Sequence, residues 1–304
     1  MEDYMNNRLK KVSNLNAYIF IAPAVILMLA FIVYPLLSSF QLSTMEWSGL
    51  GGGKFIGFEN YTILFKDPVF WNSIKLQFVW ALLSVLILAL TGLFLALIVE
   101  YFVPFRKMVP VFRTILFMPM MMSMVAIGLL WTMVFNPMIG LLNEFLQTLG
   151  ILSSNQPLDL LSDNRTALFA VFIPAIWQWS GFGMVVFSAA MQGIPQDILE
   201  ASVVDGCNRF RQVRYIIFPL LAPTFALLCT MNLIGGLKCF DIIYIMTAGG
   251  PGISTQVTSI YIFRQAFVLN AHGYSAAISS LMFLLTTGFG VIFFRFTNRL
   301  ESYI

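Results

Sequence analysis

The residues Glu200-Ala201-Ser202-Val203-Val204-Asp205-Gly206, followed by Ile216-Ile217-Phe218-Pro219, form a polar island in a chain that is 59% hydrophobic. Their chemistry is that of docking rather than of bond making. Pro195 suits the first position of a helix, where its missing N–H costs nothing. Gln196–Val204 then reads as a short amphipathic helix, with Asp197 near its positive end. Ile198, Leu199, Ser202 and Val203 share one apolar-to-small face able to press into a groove. Small side chains there let two backbones approach closely during a mechanical stroke. Asp205-Gly206 ends the helix, because glycine adopts the left-handed conformation that turns the chain sharply. Arg209, Arg211 and Arg214 follow, at the level of lipid headgroups or acidic partner residues. On spacing alone, an ordinary amphipathic loop is the competing reading.

Other chemistries lack their residues. No ionisable side chain lies near the middle of a long apolar run, where ion-coupled carriers place one despite the cost. Gly51-Gly52-Gly53-Lys54 is a poor phosphate loop, since Phe55 stands where Ser or Thr is needed. Cys207, Cys229 and Cys239 are odd in number and scattered, without a disulfide framework or a metal-binding pair. The single histidine, His272, reads as a solvated loop residue. Neither enzymatic activity nor a bound cofactor or metal is expected of this chain. A nucleic-acid partner is not expected either, because the basic residues form no clustered face.

The elements that carry the island are membrane spans. Charged residues make up 10% of the 304-residue chain, against roughly 25% in soluble domains. Mean hydropathy is +0.85. Six uncharged or nearly uncharged runs are long enough to cross about 30 Å of hydrocarbon as helices. They are Ala17–Phe40, Leu76–Val99, Thr114–Phe135, Thr166–Met191, Tyr215–Leu237 and Gly273–Phe294. With the N-terminus inside, the inner segments hold Arg8, Lys10, Lys11, Arg106, Lys107, Arg113, Arg209, Arg211, Arg214, Arg295 and Arg299. The outer segments hold only Lys54, Lys66, Lys75, Arg165, Lys238 and Arg264, so the basic bias places both termini in the cytoplasm. The first apolar run has no cleavage site and is read as a retained span. Residues 1–72 hold the basic leader, the first span and an external loop with glycine turns. Residues 73–296 form the transmembrane core, with the island in a loop at 192–214, and 297–304 form a short cytoplasmic tail. Leu141–Leu146 is suited to lying as an interfacial helix, and Ile260–Phe267 to forming a short helix near the outer vestibule.

Gly193-Ile194-Pro195, Glu200-Ala201-Ser202, Asp205-Gly206 and Pro219-Leu220-Leu221-Ala222-Pro223 together resemble the cytoplasmic EAA loop of binding-protein-dependent carbohydrate ABC importer permeases. Further patches agree: Ala17–Phe40, the Phe-x-Gly-x-x-Asn-Tyr motif at Phe55–Tyr61, Arg113–Pro119, and Phe240–Thr247 with Gly249-Gly250-Pro251. The pattern is closest to the first permease of maltose-type transporters without its large external insertion. Ser202, Cys207 and Phe218 depart mildly from the usual residues. The resemblance implies an all-α, six-span, type I ABC importer permease with a five-helix core and one preceding helix. It further implies a bacterial or archaeal plasma membrane and a second, different permease chain. Two ATPase subunits using ATP and Mg would dock on Glu200, Ala201, Ser202, Asp205, Gly206 and Pro219, and an external sugar-binding protein would deliver the substrate.

A sugar path needs aromatic faces and neutral hydrogen-bonding groups, since sugars offer hydroxyls and apolar C–H faces. Gln178, Trp179 and Phe182 on the fourth span, with Asn232 and Gly236 on the fifth, supply candidates. In maltose-type permeases the corresponding stretches form the sugar pocket. Trp179 and Phe182 read equally well as helix packing or an interfacial aromatic belt. Asn232 needs a partner, either ligand or another helix. Lys238 and Asp241, just beyond the fifth span, are placed to pair or to touch the binding protein. Glycerol phosphate is the alternative substrate class, and an ion-coupled carrier the alternative machine. A phosphate ester would favour basic groups on the path, and the spans supply none.

Overall fold

The computed structural model describes residues 18–153 and 156–301. The expected leader at 1–16 and the last residues of the tail, 302–304, lie outside the described residues. In chain order the helices are α1 (Tyr18–Leu42), α2 (Glu59–Lys66), α3 (Pro68–Phe102), α4 (Arg106–Met121), α5 (Met124–Val134), α6 (Leu141–Thr148), α7 (Ala167–Gln192), α8 (Gln196–Val204), α9 (Arg209–Leu220), α10 (Ala222–Gly236), α11 (Asp241–Thr247), α12 (Thr258–Phe263) and α13 (His272–Glu301). Helices α1, α3, α7 and α13 are each long and apolar enough to cross a bilayer alone. The other two expected spans are bent pairs, α4 with α5 at 97° and α9 with α10 at 64°. Counting each pair as one gives six.

The bends correct the expectation of straight helices at Thr114–Phe135 and Tyr215–Leu237, and their causes are local. Met122 is extended (φ −80°, ψ 147°), just after Pro119, which has no N–H to continue the ladder. The second break falls at Leu221, between Pro219 and Pro223, each missing a donor. Helix α3 starts before the predicted Leu76. Asp67 caps it by accepting from the Val69 N–H at 2.8 Å, and Pro68 takes the first helical position.

The chain divides into two compact units, Met1–Lys66 with Arg264–Leu281, and Asp67–Phe263 with Met282–Ile304. In the first, Met45–Glu46 (β1) and Lys54–Phe55 (β2) pair antiparallel, with Met45 opposite Phe55. The Phe-x-Gly-x-x-Asn-Tyr motif fixes this hairpin to the end of α1. The buried Asn60 amide donates to the Ser43 and Met45 carbonyls at 2.9 and 3.0 Å, and the Tyr61 hydroxyl to Ser43 Oγ at 2.8 Å. His272 is not a solvated loop residue. It opens α13, half-buried, with its ring centroid 5.3 Å from that of Trp47.

The second unit holds two buried apolar clusters. One gathers Trp80, Leu88, Ile127, Phe172, Ile242 and Ile243, among others. The other, toward α8, gathers Leu93, Ala96, Met184, Phe187, Ile217 and Leu221, among others. Small residues set how closely the helices cross, since lipid supplies little hydrophobic drive for helix association. Helices α3 and α7 meet at Gly92 and Gly183, where a Cβ on Gly92 would lie 2.8 Å from the Gly183 Cα. Helices α10 and α3 meet at Gly236, where a Cβ would lie 2.7 Å from the Ala81 Cα. The Gln77 amide on α3 donates to the Gly236 carbonyl at 2.7 Å and closes the end of α10.

A side chain at Gly92 must therefore push two backbones apart. Gly92→Val should cost about 1–3 kcal/mol, the usual range for overpacking. Gly290→Val should cost little, because open space surrounds that glycine. Thermal unfolding in detergent, followed by size-exclusion chromatography, checks this. Equal midpoints for the two variants would show that the crossing tolerates separation.

Candidate functional site

The segment read as an amphipathic helix is helical: α8 has the bounds read from the sequence. Pro195 precedes it rather than beginning it: at φ −57° and ψ 130° it is the capping residue, and Gln196 is the first helical one. The C-terminus is a Schellman motif. The Cys207 N–H donates to the Ser202 carbonyl at 2.9 Å and the Gly206 N–H to the Val203 carbonyl at 3.0 Å. Gly206 takes φ +78°, the left-handed region open to glycine. Asn208 then caps the next turn by accepting from the Arg211 N–H at 2.9 Å.

The apolar face does not act as one surface. Leu199 and Ser202 turn toward the protein, and Ser202 is 6% exposed. Its hydroxyl donates to the Leu199 carbonyl at 2.6 Å and accepts from Gln212 Nε2 at 2.8 Å; the same amide reaches the Leu199 carbonyl at 3.1 Å. Ile198 and Val203 point outward with Ala201, Val204 and, beyond the turn, Phe210. The reason is tertiary: buried Gln212 on α9 claims the Ser202 side of the helix.

One polar tie holds this segment to its neighbours, and a second joins those neighbours to one another. Arg209 donates from Nη1 to the Tyr101 carbonyl at the end of α3, at 3.0 Å. Arg113 on α4 pairs with Glu100 on α3, donating from Nε to Oε1 at 3.0 Å and also from Nη2. With its amide oxygen turned toward Arg113, Gln192 at the end of α7 accepts from Nη1 at 3.1 Å. A cleft of about 540 Å³ runs between α8 and the α3–α4 turn, lined by Glu100, Arg106, Glu200, Val203, Arg209 and Gln212, among others. Pro219 is not on α8; it sits two residues before the bend at Leu221.

A second cavity, of about 370 Å³, lies between α3, α7 and α10. Of the residues read as a path, Trp179, Phe182, Asn232 and Gly236 line it. Gln178 does not. It is buried against the bend of the third span, donating to the Met122 carbonyl at 3.2 Å. The sequence reading missed Trp80, Ser84 and Phe240 on the same wall. Trp80 and Ser84 stand one helical turn apart on α3, a spacing that would have shown them once α3 was known to face the path. Lys238 and Asp241 also line the cavity, and no ion pair joins them among the described residues. The cavity wall therefore carries one charge of each sign, where the spans were expected to supply none. The Asn232 amide makes no hydrogen bond to another described residue, so its polar atoms are left for whatever enters.

The turn at Gly206 yields a direct test. Valine there would force a β-branched side chain into the left-handed region at a cost of about 1–2 kcal/mol, although no neighbour would be struck. Gly206→Val should open the segment to trypsin at Arg209 and Arg211, whereas Gly206→Asn should keep close to the parent cleavage rate. Equal rates in all three would mean that the turn does not hold the segment.

Comparison with known proteins identifies the family and the fold. Residues 90–302 match the family described as "Binding-protein-dependent transport system inner membrane component". The lactose transport system permease protein LacF of Rhizobium radiobacter is 31% identical over 280 residues, covering 91% of this chain and 92% of its own. The sn-glycerol-3-phosphate transport system permease protein UgpA of Agrobacterium fabrum is 30% identical over 288 residues, covering 94% and 96%. In structure, a subunit of a bacterial ABC transporter that imports the acidic polysaccharide alginate superposes with a TM-score of 0.84 at 23% identity, over 96% of this chain and 99% of that one. The chain belongs to the binding-protein-dependent transport system inner membrane component family, as a permease subunit with the ABC importer fold.

Proposed function

We propose that this chain is one of two different transmembrane subunits of an ATP-driven importer, moving a neutral sugar or oligosaccharide delivered by an external binding protein. The cavity between α3, α7 and α10 carries the reading. Trp179, Phe182 and Phe240 offer faces for sugar C–H groups, and Asn232 offers polar atoms for hydroxyls, with the buried Trp80 and Ser84 behind them. Sugar permeases among the relatives support it. ATP and Mg act on two partner ATPase subunits, which dock on the outward side of α8 at Ile198, Ala201, Val203 and Val204. Glu200 lines the adjoining cleft, and Asp205 and Gly206 hold the turn. Both termini face the cytoplasm with α8, as the basic bias indicates.

A phosphate ester is the second reading, favoured by Lys238 on the cavity wall and by the similarity to a glycerol-phosphate permease. Asp241 on the same wall offsets that charge. The ion-coupled carrier falls away with membership of a binding-protein-dependent family.

Val204 is 87% exposed, so Val204→Asp leaves the fold alone and places a charge on the docking face. The variant should lose the co-purifying ATPase and all uptake; intact assembly with full transport would remove α8 from the interface. Asn232→Ala should keep assembly and raise the uptake KM about two- to tenfold, the loss of one hydrogen bond. Unchanged kinetics would return Asn232 to helix packing.

A further inference from the structure

We infer that α6 is an interfacial helix that lies on the membrane, its outward face covered by lipid of the leaflet away from α8. The helix joins the bent third span to the fourth and opens at Gly140. Its inward side is fixed by Asn143, which is 2% exposed. That side chain donates to the Leu158 carbonyl at 2.9 Å and accepts from the Leu158 N–H at 2.8 Å. Leu142 packs on the apolar cluster beneath. With Asn143 held, rotation about the helix axis is blocked, and Leu141, Phe145 and Leu149 must point outward one turn apart. All three are exposed, Phe145 at 62%. Met138 and Ile139 before the helix and Ile151 after it extend the same bare surface.

Such a patch is too apolar to face water without a cover. Its continuity identifies the cover. The patch follows directly on the exposed side of α5, where Val125, Leu129 and Met133 stand outward on a membrane span. Glu144 is the one charged residue of α6 and lies at the margin of the apolar face. An apolar face with a polar margin is the pattern of a helix lying in the headgroup–acyl boundary. A charged protein surface would find nothing to pair with on this face. The consequence is mechanical: α6 is a float that sets the depth of the α5–α7 connection in the bilayer.

Site-directed spin labelling of the reconstituted transporter tests this, with Cys207, Cys229 and Cys239 replaced by Ser. Labels at F145C and L149C should show an oxygen-to-nickel accessibility ratio close to that of L129C on α5. The ratio should be roughly tenfold above that of N164C in the neighbouring exposed loop, as for a residue buried about 5–10 Å into the boundary. Nickel accessibility like that of N164C would overturn the inference in favour of water. Protection from both reagents would overturn it in favour of a protein partner. L149C keeps the test open if F145C does not assemble.

Discussion

No backbone carbonyl can be left bare in hydrocarbon, and this chain meets that demand with glutamines. An unbroken helix satisfies its own ladder, but helices that break or end within the protein do not. Where the third span bends, Gln178 donates to the Met122 carbonyl. Where α10 ends inside the protein, Gln77 donates to Gly236. Outside the spans, where α8 folds back on α9, Gln212 donates likewise to the Leu199 carbonyl, which is part-buried in protein rather than in lipid. All three glutamines are buried. An amide suits the task, since it carries donors without the charge that a lysine or arginine would bring to the same depth. The amide oxygens of Gln77 and Gln178 find no partner among the described residues, so these two ties each leave one acceptor unsatisfied there.

The same constraint separates what the sequence reveals from what it hides. Apolar runs give the number of spans, because each must be about twenty residues long whatever its neighbours do. Runs of this kind carry no information about the 97° and 64° bends; Pro119, Pro219 and Pro223 were the only local marks. The bounds of α8 were readable almost to the residue, since Asp205-Gly206 encodes its own stop through φ +78° at the glycine. The outward face of α8 was not readable. Ser202 looks like a docking residue by position, and it is turned inward by Gln212 ten residues later, a tertiary contact that no local pattern encodes.

The cavity divides in the same manner. Trp179, Phe182, Asn232 and Gly236 were found because they sit on the two helices flanking the docking loop. Trp80 and Ser84 escaped because α3 is remote from it in sequence, and Phe240 because it lies just beyond the end of α10. Gln178 was grouped with Trp179 as its neighbour, yet adjacent residues on a helix point about 100° apart. One faces the cavity and the other the bend of the third span.

Coupling two ends of a membrane protein requires that one end be stiff, since a force applied to a loose loop is dissipated in the loop. Helix α8 is stiff by construction. It is closed at its C-terminus by the Schellman turn and held on its inner side by Gln212. It is joined to α7 through the short Gly193–Pro195 link, and Arg209 in the following segment bonds Tyr101 of α3. Helices α3 and α7 are also two walls of the cavity, and they touch at Gly92 and Gly183 without side chains between them. A contact of bare backbones transmits displacement with little slack, yet it presents few interlocking side chains to resist sliding. In the proposed importer, a shift of α8 would be carried along α7 to the cavity, and the glycine crossing is where α7 would move past α3. The third wall, α10, reaches α8 only across the Leu221 bend. The same push would therefore move α7 and α10 by different amounts, and a cavity between them changes shape when its walls move unequally.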